Sequence, residues 1–134
     1  MLWRADRVEP VTPDEQLARC LTQSNHYKRD PLRVTERAFL PAPDGATSVF
    51  RIDGLDDKAL WGHVDVHVGS TGRRVEGAGI VLAQVVKNVG LRMRADDVPP
   101  RHAEIVGWPD EKSDQKSRAQ QLAGAAVLKM RPGK

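Results

Sequence analysis

Turn-forming residues cut this chain at short intervals, and that punctuation limits what it can fold into. Pro31, the run Pro41-Ala-Pro-Asp-Gly45, Asp53-Gly54, Gly69-Ser-Thr-Gly72, Gly90, Pro99-Pro100 and Pro109 each stop or bend a regular element. The segments between them suit short strands and modest helices. None holds the roughly 18 consecutive apolar residues of a membrane-spanning helix. With 134 residues the chain has the size of one domain, long enough to bury a core without staples.

Periodicity assigns the segments. Thr12-Pro13-Asp14-Glu15 carries a cap, a first-turn proline and an acidic partner, so it predicts a helix running to about Ser24 with Leu17, Cys20 and Leu21 buried. Residues 48–52 read as a strand with Phe50 and Ile52 on the core face and Val49 and Arg51 on the other. Over 56–68 the spacing of Leu60, Val64 and Val68 fits a helix, and the alternation His63-Val-Asp-Val-His-Val68 fits a strand. The lead-in Asp-Asp-Lys-Ala-Leu-Trp favours the helix. Gly77–Leu82 reads as a short buried strand, whose glycine pair Gly77 and Gly79 marks close backbone packing. Ala83–Val89 reads as a helix closed by Gly90. Leu91–Arg94 and His102–Trp108 read as strands. Ser113–Met130 is the longest expected helix, with Ala119, Leu122, Ala123, Ala126 and Met130 as its apolar stripe and Gly124 opposite.

This order, without repeats, predicts a single α+β domain over 1–134. Its core is a small mixed or antiparallel sheet of three to five strands, packed by helices and closed by a long C-terminal one. Residues 1–10 are an irregular lead-in and 131–134 a basic tail. The stretch 77–94 is too short for an ordinary parallel crossover unit.

Charge is unevenly spread. Residues 1–67 hold nine Lys/Arg against eleven Asp/Glu, and residues 68–134 hold twelve against seven. Lys112, Lys116, Arg118, Lys129, Arg131 and Lys134 face only Asp114 within the last segment. Such a stripe attracts phosphates or an acidic partner, or is simply a solvated helix face. Met1-Leu-Trp-Arg-Ala-Asp-Arg7 lacks the apolar stretch of a secretory signal. A lone Cys20 excludes an intrachain disulfide, so a cytoplasmic location is expected.

Three constellations carry candidate chemistry. If the strands at 48–52 and 102–108 pair, Arg51 shares a face with His102 and Glu104. A histidine beside a carboxylate, with an arginine near, can bind a phosphate or move its proton. The same residues also make an ordinary salt-bridge cluster. His63 and His67, one helical turn apart with Asp65 between, are a weak metal pair that lacks further ligands, so no metal or cofactor is expected. Arg73, Arg74, Lys112, Lys116 and Arg118 are candidate contacts to nucleic acid or a protein. Trp108 is a candidate anchor whose alternative role is a plug between the last helix and the sheet. With aromatics at 4%, none among the basic run, no base-stacking platform is expected. Serine-hydrolase, phosphate-loop and dinucleotide motifs are missing.

The segments AFLPAPDGATSVFRI, GAGIVLAQVVKNVGLRMRADD and PPRHAEIVGWPDEKSDQKSRAQQLA resemble a group of small bacterial proteins of unassigned activity. In that group a Phe-x-Pro segment and a Ser-Val-x-Arg strand precede a Pro-x-x-His-Ala segment and a terminal helix. The resemblance covers roughly residues 36–126. It implies a compact bacterial accessory protein, of the kind that travels with defence or mobile-element genes, and carries over no catalytic residue. The expected function is a binding module that contacts a protein or nucleic acid through its basic C-terminal face. The alternative is a small enzyme or phosphate-ligand binder built on Arg51, His102 and Glu104.

Overall fold

The computed structural model describes residues 9–69 and 72–132. Residues 1–8 of the expected lead-in, Ser70 and Thr71 of the expected loop, and Gly133 and Lys134 of the expected tail lie outside the described residues. In chain order the elements are β1 (Gln16–Leu21), β2 (Tyr27–Arg29), β3 (Leu32–Val34), β4 (Thr47–Arg51), α1 (Asp57–His67), β5 (Gly77–Leu82), α2 (Ala83–Asn88), β6 (Arg92–Ala95), β7 (His102–Val106), α3 (Lys112–Ala125) and β8 (Val127–Met130). The main sheet has six strands in the order β6-β7-β4-β1-β5-β8, and each neighbouring pair is antiparallel. β2 and β3 form a separate hairpin. The chain is thus a single small α+β domain, with more strands than the three to five expected.

Four strands were not expected: β2 and β3 flank Pro31 in a polar stretch, and β1 and β8 come from segments expected to be helical. Thr12-Pro13-Asp14-Glu15 does close a turn: the Glu15 amide donates to the Thr12 carbonyl (3.1 Å) and the Thr12 amide to the Glu15 carboxylate (2.9 Å). These are helix-start bonds, yet β1 takes the place of the helix expected to Ser24. β1 lies between β4 and β5, and its side chains are buried on both faces. Burial on two sides outweighs the helix preference of Gln, Leu, Ala and Arg. The expected helix 113–130 likewise stops at Ala125. Val127–Met130 turns back as β8 and pairs with β5, so Ala126 and Met130 leave the helical stripe while Ala119, Leu122 and Ala123 keep it. Gly77 permits that pairing, because a Cβ there would stand 2.8 Å from the Lys129 carbonyl.

α1, α2 and β7 match their sequence signals. The Asp56 side chain caps α1 by accepting from the Ala59 amide (2.8 Å). Gly90 closes α2 at φ +84°, and Arg118 reaches across to donate to its carbonyl (3.1 Å). Gly107, also at φ +84°, ends β7 shortly before the expected limit at Trp108.

The sheet is covered on both sides. One core joins Leu17, Leu21, Val49, Val81, Ala103 and Ile105 to α2, α3 and the 3-10 turn at Glu36–Ala38. The other joins Ala18, Cys20, Phe50, Ile52 and Ala78 to Leu60, Trp61 and Val64 of α1. Among the described residues no helix is long and apolar enough to cross a membrane.

Candidate functional site

β1 and β4 stay together for only two residue pairs, Leu17 with Arg51 and Ala18 with Phe50. Beyond them β1 runs along β5 as far as Leu21, while β4 runs along β7 back to Thr47. The central sheet therefore splits at Arg19 and Ser48. Arg19 bridges the split: its Nε donates to the Ala38 carbonyl (2.6 Å) and its Nη1 to the Ser48 carbonyl (3.0 Å). A cavity of about 420 Å³ opens there. Arg19, Arg37 and Arg73 line it together with His26, Thr22, Gln23, Asn25, Cys20, Phe50 and Leu40, and no lining residue is an aspartate or glutamate. Among the described residues no ion pair ties any of these three arginines to a carboxylate.

The electrostatics arise from that imbalance. Burial pulls the Arg19 guanidinium below its ordinary value, and the charge of Arg73 adds to the effect. An arginine nonetheless stays protonated in proteins. Burial likewise pushes the Cys20 thiol up to about 11, so it remains a neutral core group. His26 is held down to about 4 by burial, with Arg19 and Arg73 adding to it. Its Nδ1 accepts from the Thr22 amide (3.2 Å), which leaves the neutral ring's proton on Nε2.

A pH dependence of stability results. Because the folded value of His26 lies below the ordinary 6.5, the unfolded chain takes up the proton first as pH falls. Stability from this group is full above that ordinary value and is lost as pH drops toward 4. Urea denaturation between about pH 7 and pH 4 should show a loss of about 2–3 kcal/mol from this group. His26→Asn, whose side-chain oxygen can take the Thr22 amide, should flatten that arm of the profile. An unchanged profile in this variant would mean the imbalance does not act on His26.

The residues singled out from sequence are spread over several places. β4 and β7 do pair, but Phe50 stands opposite His102 and Ser48 opposite Glu104. His102 and Glu104 therefore share the Phe50 face, and Arg51 points with Val49 to the other. Arg51 instead grips Glu15 (Nε to Oε1 2.6 Å, Nη2 to Oε2 3.0 Å). His102 meets Asp96 (2.7 Å), and Glu104 pairs with Arg94. No single Arg51, His102 and Glu104 cluster forms. The expectation assumed one packed face, whereas both faces carry a core.

His63 and His67 lie on α1 with ring centroids 4.4 Å apart, beside the Phe50 ring. His63 Nε2 bonds to the Pro100 carbonyl (2.9 Å), and Asp65 is tied to Arg131 (2.6 Å). Among the described residues no three His, Cys, Asp or Glu side chains are grouped to hold a metal ion. Trp108 is half-buried against the first core, and its Nε1 donates to the Ile105 carbonyl (3.2 Å).

The basic residues of the last segment do not make one stripe. Arg118 faces Gly90, whereas Lys129 and Arg131 pair with Asp57 and Asp65 of α1. Lys112 and Lys116 line a recess that also includes Arg37, and Arg73 and Arg74 line another that shares Arg73 with the cavity.

Arg19, His26 and Arg37 were missed from sequence. The signal for Arg19 is a charge at the centre of the apolar run Leu17-Ala18-Arg19-Cys20-Leu21, which reads as harmless only if the segment is a helix. His26 and Arg37 reach the cavity through turns that no local pattern announces. Comparison of the chain with known protein families, characterised proteins and solved structures finds no match.

Proposed function

We propose that this protein is a binding module for a phosphate-bearing ligand, seated in the split between β1 and β4. The observation that carries this reading is Arg19. Its guanidinium sits on two neutral carbonyls, in a recess that adds two more arginines and no carboxylate. Arg37 and Arg73 are exposed, so the desolvation cost falls on Arg19, which lies half-buried beside them and is unfavourable there unless an anion completes the group. Guanidinium forks match phosphate oxygens in pairs, which favours phosphate over a diffuse negative charge. The volume of about 420 Å³ exceeds what an inorganic ion needs and falls within the range of small-ligand pockets. Thr22, Gln23, Asn25 and Ser48 supply neutral hydrogen-bonding groups and Phe50 and Leu40 apolar wall, a mixture suited to a phosphate ester. The cavity's buried thiol stays neutral and offers no nucleophile.

Titration with pyrophosphate and with ADP at low ionic strength tests it. Saturable binding with a Tm that rises with ligand concentration is expected. Arg37→Ala and Arg73→Ala should each weaken binding by roughly tenfold or more, the value of one charged hydrogen bond. No shift of Tm, or an equal shift in the variant that combines Arg37→Ala with Arg73→Ala, would overturn the proposal.

A further inference from the structure

We infer that the phosphate-bearing ligand is single-stranded nucleic acid, with one nucleotide in the cavity and its neighbours' phosphates on the basic residues at the two exits. This rests on the anion-binding reading and names its substrate class. The cavity shares Arg37 and Leu40 with a recess of about 280 Å³ lined by Lys112 and Lys116 at the start of α3. It shares Arg73 with a second recess of about 360 Å³ that Arg74 lines. Basic residues thus line both recesses that share residues with the cavity. A free nucleotide would use the cavity alone, whereas a strand has phosphates for both exits.

The exits are not uniformly basic. Glu36 lines the first, and Asp65 the second, where Arg131 holds it. Arg74 lies near Glu76 (3.3 Å) on the exposed surface. Arg37, Arg73, Lys112 and Lys116 have no carboxylate partner among the described residues. These four and Arg19 define the path.

A concave seat between basic exits fits a strand whose base can turn out of line. A duplex keeps its bases stacked inside and cannot fill the seat. An acidic peptide would satisfy the exits but offers carboxylates where the arginine forks favour phosphate.

Fluorescence anisotropy with a labelled single strand of about 12 nucleotides tests the inference, alongside pyrophosphate titration. Between about 50 and 200 mM salt, log affinity should fall with log salt at a slope of roughly −2 to −3, for three or four phosphate contacts. The double variant Lys112→Ala with Lys116→Ala should bind the strand about tenfold or more weakly, with a slope shallower by roughly 1.4. Its pyrophosphate affinity should stay within about twofold, since neither lysine lines the cavity. If pyrophosphate binds and the strand binds no tighter, the inference fails and the anion cavity stands. If neither binds, both fail. A duplex or a poly-glutamate peptide that competes as well as the strand would also overturn the assignment.

Discussion

Arg51→Met is expected to lower the stability of the protein by about 3–5 kcal/mol, the usual result of stripping one partner from a buried ion pair. Arg51 and Glu15 side chains are only 16% and 11% exposed, and they meet through two parallel hydrogen bonds. The guanidinium also donates to the carbonyls of Glu9 (2.6 Å) and Pro10 (3.2 Å), so it fastens the chain ahead of β1 to the end of β4. Without it the Glu15 carboxylate keeps only Thr12 as a partner. Glu15→Gln should cost less, because the amide oxygen still accepts from Thr12. A double-mutant cycle should return a coupling of about 1–3 kcal/mol.

The same pair adds an acid arm. The hydrogen bonds from Arg51 hold the Glu15 carboxyl below its ordinary 4.5 despite burial. Its contribution is therefore present above that ordinary value and is lost as pH falls through the lower folded one. This window lies at the acid end of the one assigned to His26. Chemical denaturation across pH separates the two: Arg51→Met removes the lower arm, and His26→Asn the upper. A stability loss under about 1 kcal/mol for Arg51→Met would place the pair with solvated surface bridges and refute the anchoring role.

Arg19→Met is the second large effect, and it divides stability from binding. The affinity for pyrophosphate should fall by roughly 100-fold, the equivalent of losing about 2–3 kcal/mol of charged hydrogen bonding. Stability should change by no more than about 1 kcal/mol, because two terms oppose each other in the folded protein. Methionine removes the burial cost of an uncompensated cation and fills the same space. It also leaves the Ala38 and Ser48 carbonyls without their donor. The opposite outcome, a large loss of stability with unchanged affinity, would make Arg19 a strut across the split sheet. Calorimetric titration beside urea denaturation on the same variant decides the matter.

Much of the fold was legible where local chemistry and tertiary packing agree. Asp56 caps α1, Gly90 closes α2, and the Gly77–Leu82 segment is a buried strand, each for a reason contained in a few neighbouring residues. The two missed strands of the main sheet, β1 and β8, share one cause. Gln16–Leu21 and Val127–Met130 extend to pair with β5, one on each side, and the residues they pair with are far away in sequence. Turn signals at Thr12 and Glu15 are real, but a turn of this kind can lead into a helix or a strand.

The candidate site was less legible than the fold. Pairing of β4 with β7 was foreseeable, but which residues share a face depends on register, and a shift of one residue reverses it. With Phe50 opposite His102, the imagined Arg51 and His102 face does not exist. The cavity itself arises where a ladder stops, and a stopped ladder has no local signature.

By itself the sequence determined the class of the molecule: short elements, one α+β domain, a lone cysteine in the core and an excess of basic residues. Those properties come from composition, capping and periodicity, which act over a few residues. Only the tertiary structure decided that Arg19, Arg37 and Arg73 line one recess and that their charge stays unpaired among the described residues. That depends on where β1 parts from β4, and strand pairing is set by the burial of both sheet faces at once.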